Sequence, residues 1–234
     1  SQMEIGQSAY HREASRLESL KNITERYDGY GNSIRRVMEQ KDKNPGIIGV
    51  VADIIKVEKK YETAIETALG GSIQNIVTDN EETAKGMISF LKQTKSGRAT
   101  FLPLNSIKNA QEFRQKEALK EPGVLGLAHT LVHTDEKYGD VAKSLLGRID
   151  HVDHATQLAR KFKYSLRIVT LEGESLSPGG SISGGAFKNS SNLLGRRREI
   201  EELEWKVKAH AKAVDELLVS IEDLKKDRNE CRTE

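Results

Sequence analysis

The residues best suited to chemistry form one short run, Gly179-Gly180-Ser181-Ile182-Ser183-Gly184-Gly185, which follows Ser177-Pro178. Paired glycines permit positive φ and close backbone approach, as a phosphate cradle requires. Gly180 and Gly185 have the first spacing of a P-loop. Ala186 and Phe187, however, stand where its lysine and hydroxyl residue must be, so the groups that hold phosphate and magnesium are missing. A nucleophile elbow needs glycines flanking the serine at both required positions, and neither Ser181 nor Ser183 has them. An enzyme built on this loop would lack a catalytic constellation. Two readings remain: a flexible turn, or an edge strand left bare for pairing with another chain.

Other reactive side chains are scattered. His129 and His133 have i,i+4 spacing, but Leu127 to Val132 alternates like a strand. No acidic ligand set accompanies them or His151 and His154, and a zinc site needs three or four convergent ligands. Cys231 is the single cysteine. It reads as a reduced thiol of a cytosolic coil, and no disulfide within the chain is possible. The acidic residues are spread along helices, and none pairs off as a general acid and base.

The basic run Arg196-Arg197-Arg198 opens a helix, where the macrodipole disfavours cations by about 0.3–1 kcal/mol each. Glu199, Glu201 and Glu202 follow it. It is either a solvated helix start neutralised by those acids or a phosphate-binding patch with Lys188 close by. Arg35, Arg36, Lys41 and Lys43 would share that side if the two ends of the chain pair. No aromatic residues are interleaved, which argues against base-specific readout. The formal net charge of +2 demands no nucleic acid by itself.

These residues must be positioned by three kinds of element. At the C-terminal end, Ile200, Leu203, Val207, His210, Val214, Leu217, Ile221 and Leu224 recur at steps of three and four. At the N-terminal end, Leu20, Ile23, Tyr27, Tyr30, Ile34 and Val37 do the same. Such heptads make one apolar seam that faces a partner helix. Tyr10, Ala14, Leu17 and Leu20 contain a slip, a stammer that overwinds a coil locally. Gly29 and Gly31 predict a bend or break. Arms leaving one domain side by side would pair antiparallel within a single chain. Ser1 and two ends that stop in mid-heptad read as those of a fragment of a longer rod. No signal peptide is visible and no run of about 20 apolar residues could span a membrane. The 31% charged and 5% aromatic content suits long solvated helices around roughly one domain's worth of core.

The middle of the chain repeats itself. Gly46-Ile47-Ile48-Gly49 matches Gly123-Val124-Leu125-Gly126, Lys60-Tyr61 matches Lys137-Tyr138, and Leu69-Gly70 matches Leu146-Gly147, each 77 positions apart. Ile76-Val77-Thr78-Asp79 loosely matches Asp150-His151-Val152-Asp153, and Arg98-Ala99-Thr100-Phe101 matches Arg167-Ile168-Val169-Thr170. In the first copy, strands are expected near Ile47–Val51, Ile73–Val77 and Ala99–Leu102, and helices near Glu58–Leu69 and Glu81–Lys95. Gly70-Gly71 and Gly97 sit where helix C-caps belong. The fold class is therefore α/β (α+β): a globular pair of similar subdomains, perpetuating one plan twice, flanked by the paired arms.

Gly97-Arg98-Ala99-Thr100-Phe101-Leu102-Pro103-Leu104, Arg167-Ile168-Val169-Thr170-Leu171-Glu172-Gly173, the GGSISGG run and Leu193-Leu194-Gly195-Arg196 come in this order between coiled coils. This closely resembles the hinge of bacterial structural-maintenance-of-chromosomes (SMC) proteins, over nearly the whole chain. The resemblance implies an N-terminal arm over 1–40, subdomain I over 41–120, subdomain II with its glycine segment over 121–192 and a C-terminal arm over 193–234. It implies homodimerisation through Gly179 to Gly185, with subdomain I of one chain on subdomain II of the other. It further implies sequence-independent DNA contact at the junction of hinge and coil, carried by Lys188, Arg196, Arg197, Arg198, Arg35, Arg36, Lys41 and Lys43. Asn189 and Ser190 stand where some relatives carry lysine. ATP and magnesium would belong to a head domain elsewhere in the protein, as would the binding of kleisin-type subunits. The fragment would hydrolyse nothing and would take no cofactor or metal. Its place would be the cytoplasm, on the nucleoid, without a membrane partner. The competing reading is a dimerising spacer whose arginines only begin the coil.

Overall fold

The computed structural model describes residues 2–108, 112–147, 149–151, 155–186 and 193–233, with residues 149–151 and 233 described by backbone alone. The chain divides into an arm unit, Ser1–Arg26 with Arg198–Glu234, and a globular unit, Tyr27–Arg197. The resemblance placed these divisions at 40/41 and 192/193. The difference at the first arises because Ile34, Val37 and Met38 of α2 (Asn32–Met38) bury in the globular core.

The arm unit is built from α1 (Gln2–Glu25) and most of α8 (Leu193–Thr233). Lys21 Nζ meets Glu204 Oε1 at 2.9 Å and His210 Nδ1 lies 3.1 Å from Glu13 Oε2. Numbers rise on one helix as they fall on the other, so the pair is antiparallel. Arg16 also bonds Glu199. On α8, Leu203 is buried and Val207, His210 and Val214 are half-buried at steps of four, three and four, as a heptad seam requires. Leu217 and Leu224 are exposed, 39% and 67%. Ile221, between them on the seam, is half-buried.

The globular unit holds the repeat. In the first copy, β1 (Ile47–Val50), β3 (Ile76–Thr78) and β4 (Phe101–Pro103) form a sheet in the order β1-β3-β4. Between them lie α3 (Val51–Ile54), β2 (Lys56–Val57), a 3-10 turn at Lys59–Tyr61, α4 (Glu62–Leu69) and α5 (Glu81–Gln93). In the second copy, β5 (Val124–Leu127), β7 (Ile149–His151) and β8 (Ile168–Thr170) take the same order, with β6 (Val132–His133), α6 (Gly139–Leu145) and α7 (Ala155–Lys161) between them. The second sheet then adds β9 (Ser175–Leu176) and β10 (Ile182–Ser183), giving the order β10-β9-β8-β7-β5.

The copies agree in detail. β1 pairs antiparallel with β3 and its register shifts between Ile47 and Gly49; β5 pairs antiparallel with β7 and shifts between Val124 and Gly126. β3–β4 and β7–β8 are both parallel. Lys60 Nζ lies 4.8 Å from the Tyr61 ring centre, and Lys137 Nζ lies 4.9 Å from that of Tyr138, within cation–π reach. β2 and β6 join the copies, with Lys56 opposite its own counterpart His133. The largest core draws Val50, Ile65 and Ile76 from the first copy and Val141, Leu146 and Val169 from the second. A smaller one gathers Leu158, Leu166, Ile168 and Leu176.

Several sequence expectations shift: Ile73 falls in a 3-10 turn before β3, and Ala128–Leu131, which alternates like a strand, is a 3-10 turn as well. The loose strand matches move, because the pairings Ile76↔Phe101 and Ile149↔Ile168 equate Ile76 with Ile149 and Phe101 with Ile168. The helix expected from Glu58 begins as a 3-10 turn. Gly70 does cap α4, at φ +53°, but Gly97 does not cap α5. That role falls to Lys95 at φ +51°: Ser96 N donates to Leu91 O at 3.1 Å and Lys95 N to Lys92 O at 3.3 Å, a Schellman closure. α7 ends the same way on Lys163, where Tyr164 N donates to Ala159 O at 2.8 Å.

Candidate functional site

The glycine run forms a hairpin, and its outer strand is a sheet edge. Gly179 and Gly180 have φ of +91° and +94°, values that favour residues without a Cβ. Gly180 N donates to Ser177 O at 3.1 Å, and Ser177 N to Ser181 O at 3.0 Å. These bonds turn the chain so that Ile182 stands opposite Leu176 and Ser183 opposite Ser175. A bonded pair at Ser177/Ser181 leaves the next pair, Leu176/Ile182, in a non-bonded position. Ile182 therefore turns its backbone N–H and C=O away from β9. Ile182 is 60% exposed, and Ser181 to Gly185 are all exposed. A Cβ on Gly184 would approach Glu174 Cγ to 3.3 Å, so bulk there would crowd the hairpin.

A second edge lies on the first copy. Ile76 N donates to Thr100 O and Leu104 N to Thr78 O, both at 2.9 Å. Thr100, Leu102 and Leu104 thus face β3, and Phe101 faces its N–H and C=O outward. In the second copy the matching strand, β8, is covered on that side by β9; β4 ends its sheet. The chain thus presents one edge missing a strand and another strand exposed at an edge.

The basic residues separate into two groups. Arg35, Lys41 and Lys43 are exposed, and Arg36 pairs with Glu39 at 3.1 Å. Lys41 and Arg197 line one pocket of about 430 Å³, together with Lys56 and His133 and the acidic Asp53 and Asp135. The arginine run is engaged internally. Arg196 donates to Asp28 O at 2.7 Å and Arg197 to Ala52 O at 3.3 Å; in the arm unit Arg198 pairs with Glu202 at 2.9 Å. Lys188 and His154 lie outside the described residues.

The profile of the family described as SMC proteins Flexible Hinge Domain matches residues 44–159. Chromosome partition protein Smc of Desulfitobacterium hafniense is 44% identical over 200 residues, 82% of this chain. That of Bacillus subtilis is 42% identical over 195 residues, 81% of this chain. The chain spans only 17% and 16% of the length of those two relatives. The SMC hinge domain of Geobacillus stearothermophilus, solved as an asymmetric dimer, superposes with a TM-score of 0.87 at 35% identity, over 96% of this chain and 93% of that one. The chain belongs to the SMC hinge family.

The site of this SMC hinge also contains residues that sequence reasoning missed. Glu66 Oε1 accepts Leu193 N–H at 2.9 Å, and so holds the start of α8. Burial pushes its carboxyl up to about 7; the backbone N–H groups of Leu193 and Leu194 pull the other way and Glu62 adds to the rise. Asp53 Oδ2 accepts both Tyr27 Oη at 2.9 Å and Val50 N–H at 3.0 Å. Burial, with Asp53 beside them, raises Tyr27 and Tyr30 well above the usual phenol range. The N-terminal heptad spacing of Tyr27 and Tyr30 reads as coil; instead they pack on the globular core. The bend expected at Gly29 and Gly31 was the sign that the coil ends near here.

Proposed function

We propose that this chain is the homodimerisation hinge of a chromosome-partitioning SMC protein, and that β10 of one copy adds to the β4 edge of the other. The observation that carries this reading is the pair of complementary edges on one chain. Main-chain pairing supplies affinity at such edges. A two-fold axis makes two equal contacts and closes the assembly, so no open filament forms. Exposed Ile182, between glycines that let backbones approach, would pack at the joint. Light scattering tests it: wild type should have twice the 26.1 kDa chain mass, and Ile182→Glu should have 26.1 kDa with unchanged helix content. A variant that stays dimeric contradicts the edge contact.

Sequence-independent DNA contact is a second part of the proposal. Exposed Arg35, Lys41 and Lys43, with the basic-lined pocket at Lys41 and Arg197, support it. The arginine run contributes less than its charge suggests, because its guanidinium groups already serve the chain itself. Replacing Arg35, Lys41 and Lys43 with glutamine should weaken binding to any duplex and flatten the salt dependence by about 2–3 units if all three touch phosphates. Equal affinity would favour the spacer reading. In the same proposal, an ATP-binding head with its magnesium and the site for kleisin-type subunits lie in parts of the protein beyond this segment. The place of action is the cytoplasmic nucleoid. Among the described residues no helix is long and apolar enough to cross a membrane.

A further inference from the structure

The two copies differ at one surface, and the difference has a chemical direction. In the first copy the opening turn of α8 is seated on α3 and α4. Leu193 and Leu194 are buried there, Glu66 takes the Leu193 N–H, and the carbonyl of Ala52 takes Arg197. Moving 77 positions along the chain, Ala52, Glu66, Thr67 and Gly70 become His129, Lys143, Ser144 and Gly147. Those four residues line an open groove of about 1310 Å³.

The opposite wall corresponds as well. In the first copy Asn32 Nδ2 donates to Ser96 O, at 3.4 Å, beyond the end of α5. In the second, Gln115 Nε2 donates beyond the end of α7 to the side-chain Oγ of Ser165, at 2.8 Å, one position past the residue that matches Ser96. Two residues before Asn32 stands Tyr30, packed on the core; two before Gln115 stands Phe113, which lines the groove. The groove therefore lies where the first copy seats a helix.

We infer that this groove docks a short helical segment of a partner protein that carries leucines and acidic residues. Phe113, Leu119 and Leu127 supply apolar lining, as Leu193 and Leu194 would need. The polar anchor is inverted, because Lys143 stands where Glu66 stands. Glu66 holds backbone donors; an ammonium in its place calls for carboxylates or the carbonyl end of a helix. Lys108, Arg114 and Lys116 add positive charge to the same lining. Glu112 and Asp140 also face the groove, so its charge is mixed; a folded segment can place its few carboxylates at the lysines and its leucines on the apolar wall, which a uniformly charged DNA backbone cannot. His129 lines the groove too, and its Nδ1 is buried without a hydrogen-bond partner among the described residues. Burial, and then Lys143, lower its pKa and keep the ring neutral.

The test uses the chain's own seated helix as a template. The probe is a fluorescein-labelled peptide of residues 193–206 carrying Arg196→Glu, Arg197→Glu and Arg198→Glu. Fluorescence anisotropy against the dimer should show saturable binding that weakens at least tenfold with Lys143→Glu. Lys143 is exposed, so that variant should keep its thermal midpoint and mass. The peptide with unaltered arginines should prefer the Lys143→Glu protein. No saturation, equal binding of a scrambled peptide, or equal affinity of wild type and Lys143→Glu would overturn the inference. Displacement of the probe by a short DNA duplex but not by excess unlabelled peptide would overturn it too, in favour of a nucleic-acid site. The outcome does not depend on where the two copies of the hinge meet.

Discussion

Glu66 is the residue on which the start of α8 depends, and its titration can be read directly. Its folded pKa, about 7, lies above the ordinary carboxyl value of 4.5. Between those values the folded state holds a proton that the unfolded state has released. Stability must therefore fall as pH rises through this window. Wild type should melt at a higher temperature at pH 6 than at pH 8, beyond the trend of Glu66→Gln, which lacks the titrating group. Parallel melting curves for the two proteins across that range would contradict the assignment. None of this was legible in the sequence. Glu66 reads as one more acid on a helix, and its partner Leu193 lies 127 positions away. The glycine run was legible, because residues lacking Cβ atoms announce backbone approach whatever lies around them.

Elements were legible where periodicity is local. The heptad of α8 specifies a seam by spacing alone, whereas the N-terminal spacing runs past α1 into Tyr27, Tyr30, Ile34 and Val37, which pack on the globular core; the copies of the hinge share enough short motifs to declare a repeat. Helix ends were less so. A Schellman closure needs a left-handed residue, and glycine is the usual signal, yet Lys95 and Lys163 take that conformation. Both lysines are exposed, and the closing hydrogen bonds form despite the penalty of about 1–2 kcal/mol for a side chain there. Antiparallel pairing of the arms carries its own prediction. With Cys231→Ser in the background, Glu13→Cys and His210→Cys should form a disulfide within one chain, since these positions face each other across the pair. A crosslink found only between chains would mean that the arms pair in trans.

At the scale of the whole molecule, the repeat explains how one chain can present two different edges. Both copies build the same three-strand order, and among the described residues only the second adds a hairpin, β9–β10. That asymmetry leaves β4 uncovered and β10 exposed. Sequence offered the glycine run as a flexible turn or a bare edge strand and could not show an acceptor for it, because Phe101 looks like any core aromatic until β4 is seen to end its sheet. The most direct measurement is residue-resolved hydrogen exchange on the dimer. The amides of Phe101 and Ile182 both point away from their own sheets, so a lone chain leaves them to solvent. Pairing of β10 with β4 across the dimer predicts that both are protected in wild type and that both exchange rapidly in Ile182→Glu. Rapid exchange at Phe101 and Ile182 in a chain that is demonstrably dimeric would contradict the edge-pairing account.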